Sequence, residues 1–211
     1  MTTTTGRPVF IIRLNRVDLL TLSGVVTSAL AVAALLEQQF HLATALLFLA
    51  MLGDALDGLL ARRLGLARNF GRYLDGFMDV LIYLVAPALA WYLMGFDGFW
   101  GVFLIAMIAA GCVRLAVFNE VGNLQEDSGL AYLGMPVFWS VFLLAAHQLL
   151  AFALLESLNF ALLAAALAAF AFAMLWHRPF FKFKKLAHIL ALTLGGALLF
   201  FVLHLAGGTH G

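Results

Sequence analysis

Charge is what this sequence has least of. Of its 211 residues, 11% are charged (12 Lys+Arg against 11 Asp+Glu) and 64% are hydrophobic, where a soluble domain carries about a quarter charged residues. With a mean hydropathy of +1.04, a water-soluble fold would expose more apolar surface than a monomer tolerates. An ordinary soluble protein is excluded. The net charge of +1 gives no sign-biased field, so nucleic acid is not an expected partner. Cysteine is nearly absent too: the lone Cys112 excludes an internal disulfide and any multi-cysteine metal site. No signal peptide is expected, because the polar start from Met1 to Gly6 is followed by an apolar run without a small-residue cleavage site.

What fills the chain instead is long apolar runs, near 19–36, 41–61, 72–94, 98–118, 132–154, 158–176 and 187–206. A spanning helix needs about 20 residues. The expected fold is therefore all-α, a polytopic membrane bundle of about six to seven transmembrane helices forming a single domain over 1–211. Within it, 1–18 reads as an interfacial segment, 19–154 as the core spans and 155–211 as C-terminal spans. Residues 9–17 read as a short amphipathic helix lying on the membrane, its Arg side chains reaching lipid phosphates. The run 187–206 is the weakest span, since Gly195-Gly196 interrupts it.

The few cations then fix the orientation. Arg7, Arg13 and Arg16 precede the first run; Arg62, Arg63, Arg68 and Arg72 lie between the second and third; Arg114 ends the fourth; Arg178, Lys182, Lys184 and Lys185 lie between the sixth and seventh. All twelve fall on one side. The positive-inside rule makes that side cytoplasmic, in the cytoplasmic membrane, and seven crossings put His210 and Gly211 opposite.

Four of the eleven acids, Asp54, Asp57, Asp75 and Asp79, sit at the cytoplasmic ends of the second and third spans. A carboxylate at membrane depth is expensive unless paired or metal-bound, so it marks a functional site. Asp54 and Asp57 are three apart and Asp75 and Asp79 four apart, so each helix carries one acidic face. The short connection makes the helices antiparallel neighbours, with Gly58 and Gly71 removing bulk where they approach. Four converging carboxylates with few cations nearby call for divalent ions, and all-oxygen ligands suit Mg²⁺, Mn²⁺ or Ca²⁺ rather than Zn²⁺. Two ions held by shared carboxylates form a clamp for in-line phosphoryl displacement. On physics alone, an ion- or proton-coupled transporter would use the same acids.

The segment Asp54-Ala-Leu-Asp57-Gly58-Leu-Leu-Ala61-Arg62, followed after a short gap by Gly71-Arg-Tyr-Leu-Asp75-Gly-Phe-Met-Asp79, resembles the CDP-alcohol phosphotransferase signature, D-x2-D-G-x2-A-R then G-x3-D-x3-D. Every fixed position matches. The resemblance covers roughly residues 13–140. It implies two divalent ions, Mg²⁺ or Mn²⁺, on Asp54, Asp57, Asp75 and Asp79, with Asp79 also the catalytic base. It further implies a CDP-lipid pocket lined by Gly58, Ala61, Arg62, Gly71 and, from a weaker Asn/Asp-x-x-Thr match, Thr21. A homodimer in contact with membrane lipids is implied as well.

Within that family, three segments resemble phosphatidylserine synthases: Asp79 to Ala88, Arg114-Leu-Ala-Val-Phe118-Asn119, and Gly134-Met-Pro136. Ile82, Tyr83, Leu84 and Val117 depart from the pattern. The implied reaction moves the phosphatidyl group of CDP-diacylglycerol to a small polar alcohol, L-serine, with Arg114 and Asn119 at the acceptor. The alternatives are a phosphatidylinositol-phosphate or phosphatidylglycerophosphate synthase, although a doubly charged acceptor would call for more cations, and the transporter. Arg114 also reads as a positive-inside anchor and His147 as a helix-to-helix hydrogen-bonding residue. Cys112 reads as packing, Trp91, Trp100, Trp139 and Trp176 as interface anchors, and Lys182, Lys184 and Lys185 as a lipid-anchored loop.

Overall fold

The computed structural model describes residues 11–122, 124–126, 129–180 and 186–207. Helix α1 (Arg16–Leu36) opens on a reciprocal cap. Asn15 Oδ1 accepts the N–H of Val17 (2.8 Å) and Asp18 (2.9 Å), while Asp18 Oδ2 accepts that of Asn15 (2.7 Å). This corrects the expected interfacial helix. Asn15 must be extended to cap (φ −101°, ψ 176°), so the helix starts at Arg16 and residues 11–15 are not helical; residues 1–10 lie outside the described residues.

Helix α2 (Phe40–Arg63) returns across the bundle, and α3 (Asn69–Asp79) runs through a π-helical turn, Val80–Val85, into α4 (Ala86–Leu93). Pro87 gives the turn its reason. Proline cannot donate to the preceding turn, and the ladder relaxes to wider bonds such as Ala86 N–H to Leu81 O. After α5 (Gly101–Val121) come strands β1 (Leu124–Glu126) and β2 (Gly129–Leu133), then α6 (Trp139–Leu150), α7 (Glu156–Leu175), β3 (Pro179–Phe180) and α8 (Leu186–Gly207). The strands are antiparallel in the order β1-β2-β3, with Leu124 opposite Ala131 and Tyr132 opposite Phe180.

Among the described residues, six helical segments are long and apolar enough to cross a membrane, so the chain is an integral membrane helix bundle. The expected run 132–154 is shorter than read: only Trp139–Leu150 is helical. Its first residues belong to β2, and Gly134 turns the chain at φ +72° ahead of Pro136. Helix α6 still traverses the bundle, since Pro136, Val137 and Phe138 border the acid cluster while Gln148 Oε1 lies 2.9 Å from His41 Nδ1 at the start of α2. The run 187–206 is one unbroken helix despite Gly195-Gly196. Gly196 is there for close approach, since a Cβ would sit 2.8 Å from the Phe48 ring of α2.

Helix α2 is the centre of the bundle, flanked by α1 and α8. Its buried Leu47 and Phe48 join Leu35, Ile82, Trp91 and Leu144 in one core. Leu84 fills the space left by Gly111 of α5, where a Cβ would lie 2.4 Å from a Leu84 methyl. Val26, Ile105, Val113, Phe172 and Leu198 are exposed, as lipid-facing residues of a bundle should be. Three minor readings change. Trp91 is fully buried rather than an interface anchor, Cys112 is exposed rather than packed inside, and neither ring nitrogen of buried His147 has a hydrogen-bond partner among the described residues. What His147 supplies is its carbonyl, which accepts Asn159 Nδ2 at 3.2 Å.

Candidate functional site

Antiparallel passage of α2 and α3 brings the four carboxylates to one end of the bundle. One oxygen each of Asp54, Asp57 and Asp75 lies within 4.8 Å of the others. Asp57 and Asp79 are buried, and Asp57 Oδ2 has no hydrogen-bond partner among the described residues. Like-charged oxygens this close repel unless a cation lies between them. The set is all-oxygen, and its orphaned buried oxygen is an open ligand position, so the residues present fit a hard divalent ion.

Two cavities meet at these acids. The larger, about 510 Å³, lies between α1, α2, α3 and α5 and is lined by Thr21, Gly58, Ala61, Arg62 and Gly71 together with Asp57 and Asp75. Every residue that the sequence assigns to the CDP-lipid pocket is therefore on its wall. Gly71 serves a different neighbour than expected: it faces Asp18 of α1, whose Oδ1 would be 3.7 Å from an added Cβ, rather than α2. Thr21 is buried, donates to Val17 O at 3.2 Å and lies in reach of Asp57.

The smaller cavity, about 200 Å³, lies deeper and holds Asp54, Asp79, Tyr83, Arg114 and Tyr132 beside Asp57, Arg62 and Asp75. Arg114 is 5% exposed, and its Nε has no partner among the described residues. Its guanidinium carbon stands 5.1 Å from the Phe118 ring centroid and 5.4 Å from that of Tyr132, within electrostatic reach of Asp79. Arg114 is thus a buried cation that lines a cavity. Asn119 is elsewhere. It lines neither cavity; its amide lies over Gly76, where a Cβ would be 2.9 Å from Nδ2, and its carbonyl accepts Arg72 at 3.1 Å.

Three further residues, to which the sequence reading gave no role in the site, contribute to it. Tyr83 donates to Asp54 Oδ2 at 2.7 Å; its spacing of four from Asp79 put it on the acidic face, a signal that was present. Tyr132 reaches the cavity from β2, and burial raises its phenol above the usual value, so it enters as a neutral hydroxyl. No pattern in the sequence announces it. Asp18 is buried and ion-paired to Arg68, which also donates to Arg13 O at 3.2 Å, tying the start of α1 to the α2–α3 connection at the mouth of the larger cavity. Asp18→Ala removes this tie and the reciprocal half of the α1 cap, the bond from Asn15 N–H. It is expected to destabilise the protein by about 1 kcal/mol, the weight of one lost hydrogen bond, which a thermal melt checks.

The cations seen here share the acid end. Arg68 reaches Arg13, Arg72 reaches Asn119, and Arg178 O accepts Gly134 N at 2.9 Å. Arg7, Lys182, Lys184 and Lys185, and at the C-terminus His210 and Gly211, lie outside the described residues.

Over residues 14–206 the sequence matches the family model described as CDP-alcohol phosphatidyltransferase, well beyond the 13–140 of the motif resemblance. It is 29% identical over 124 residues to the CDP-diacylglycerol–serine O-phosphatidyltransferase of Bacillus subtilis, covering 56% of this chain and 67% of that protein. It is 29% identical over 124 residues to the archaetidylserine synthase of Methanothermobacter thermautotrophicus (57% and 52%). It is also 31% identical over 129 residues to the phosphatidylcholine synthase of Mesorhizobium japonicum (59% and 47%). The aligned region spans about half to two thirds of these relatives.

Proposed function

The chain belongs to the CDP-alcohol phosphatidyltransferase family, and from that premise we propose that it transfers the phosphatidyl group of CDP-diacylglycerol to L-serine, releasing CMP. One observation carries the reading: the four acids stand where two cavities meet, one walled by the signature residues and the other holding Asp79 and Arg114. Two substrates can therefore reach one set of carboxylates from different sides. Serine is the acceptor named for several relatives, and Arg114 gives the smaller cavity a single buried guanidinium suited to one carboxylate.

Asp54, Asp57 and Asp75 would hold a divalent cation, Mg²⁺ or Mn²⁺, and Asp79 would complete a second site. Such ions, when bound, neutralise the diphosphate and stabilise the departing CMP. The chain's own side chains do the rest. Gly58 and Ala61 leave room for the nucleotide, and Arg62 binds its phosphate oxygens. Asp79 takes the proton of the serine hydroxyl as that oxygen bonds to the phosphorus bearing diacylglycerol, and the bond from that phosphorus to CMP breaks. The cation-rich end faces the cytoplasm of the cytoplasmic membrane by the positive-inside rule.

Purified protein given CDP-diacylglycerol and Mg²⁺ or Mn²⁺ should release CMP with serine and not with inositol phosphate, glycerol phosphate or choline. Release with choline alone would move the chain to the phosphatidylcholine branch, and no release with any acceptor would overturn the enzyme reading. Arg114→Ala should raise the KM for serine by about tenfold or more, the loss of one charge-assisted contact, and leave the KM for CDP-diacylglycerol unchanged. An unchanged serine KM would remove Arg114 from the acceptor site.

A further inference from the structure

Tyr83 stands outside the signature, yet its phenol O–H donates to Asp54 Oδ2 at 2.7 Å. The side chain is 1% exposed and lines the smaller cavity beside Asp79. It sits in the π-helical turn that follows Asp79, and the next residue, Leu84, is fully buried against Gly111 of α5.

A carboxylate has two oxygens. Where one is held by a fixed neutral donor, the other keeps its orientation and its full negative charge for a cation, and no competing positive charge is introduced. Outer hydrogen bonds of this kind orient metal ligands and set their affinity. The alternative partner for a crowded acid, an arginine or lysine, would satisfy Asp54 and weaken its hold on a metal. Of the acids in the cluster, Asp54 is the one that this phenol ties down.

We propose that Tyr83 is a positioning residue for the cation site, holding Asp54 so that Asp54, Asp57 and Asp75 present their oxygens together before any ion arrives. This rests on the reading of the three carboxylates as a divalent-cation site.

Mn²⁺ binding to purified protein without substrates, followed by calorimetry or by the electron paramagnetic resonance of free Mn²⁺, tests it. Tyr83→Phe keeps the ring and its packing and removes only the hydroxyl. The Kd for Mn²⁺ should rise about 10- to 100-fold, and kcat should recover substantially at high Mn²⁺. Leu84→Ala, which loosens the same turn, should lower the melting temperature and leave the Mn²⁺ Kd within about twofold of the parent, because it touches no ligand. A Tyr83→Phe Kd equal to that of the parent overturns the positioning role, as does a Leu84→Ala Kd shifted as far as that of Tyr83→Phe. If the unsubstituted protein binds no Mn²⁺, or Asp54→Asn leaves binding untouched, the cation-site reading itself falls and takes this proposal with it.

Discussion

Asp79→Asn is expected to lower kcat on the order of 10²- to 10⁴-fold, the usual weight of a positioned base, while CDP-diacylglycerol still binds. Two features make the substitution discriminating. Asparagine keeps the size and one oxygen of the side chain, so the buried position between Asp75 and Tyr83 stays filled; what it loses is the ability to take a proton. The larger cavity, where the nucleotide is proposed to sit, is not lined by Asp79, so binding there has no direct reason to fail. Single-turnover CMP release together with a CDP-lipid binding isotherm separates the two effects. Retained turnover would remove Asp79 as the base. A loss of CDP-lipid binding equal to the loss of rate would assign it to ground-state binding instead.

Gly134→Ala should unfold or cripple the protein through an unrelated cause. Gly134 has φ +72°, and a Cβ there would lie 2.3 Å from the carbonyl oxygen of Met174. The contact is with backbone, so no side chain can rotate out of the way. Left-handed strain and overpacking each cost about 1–3 kcal/mol. The segment is held on both sides of this residue, by Gly134 N–H to Arg178 O at 2.9 Å and Met135 N–H to Ala173 O at 3.0 Å. Just beyond it, Pro136, Val137 and Phe138 form a wall of the smaller cavity. A large drop in melting temperature is therefore expected, with a loss of activity in whatever folds. Gly195→Ala is the control: no atom of the described residues lies within 4 Å of a Cβ there, the position is mid-helix, and alanine should be neutral or mildly stabilising. Equal melting temperatures for the two variants would refute the account of Gly134.

The contrast between these glycines shows where sequence reasoning stops. Gly195 reads as a break in an apolar run and Gly134 as part of one, but only the packing of α7 against the Gly134 turn makes one of them indispensable. Likewise 132–154 reads as one apolar span, because hydropathy does not distinguish a strand and a tight turn from helix, and the short α6 that follows emerges only from the tertiary arrangement.

By itself the sequence determined that the chain lives in a membrane as a bundle of apolar helices, and that Asp54, Asp57, Asp75 and Asp79 form one acidic cluster. Those conclusions follow from local properties: apolar length against bilayer thickness, spacing against helical pitch, and the cost of burying charge. Only the tertiary structure decided which groups complete the site. Tyr83 on Asp54, Tyr132 over Arg114 and Arg68 on Asp18 join residues 29, 18 and 50 positions apart. It also sent Asn119 to pack on Gly76 rather than into the smaller cavity. Such contacts depend on how helices are rotated and stacked against one another, and no periodicity within a single helix carries that information.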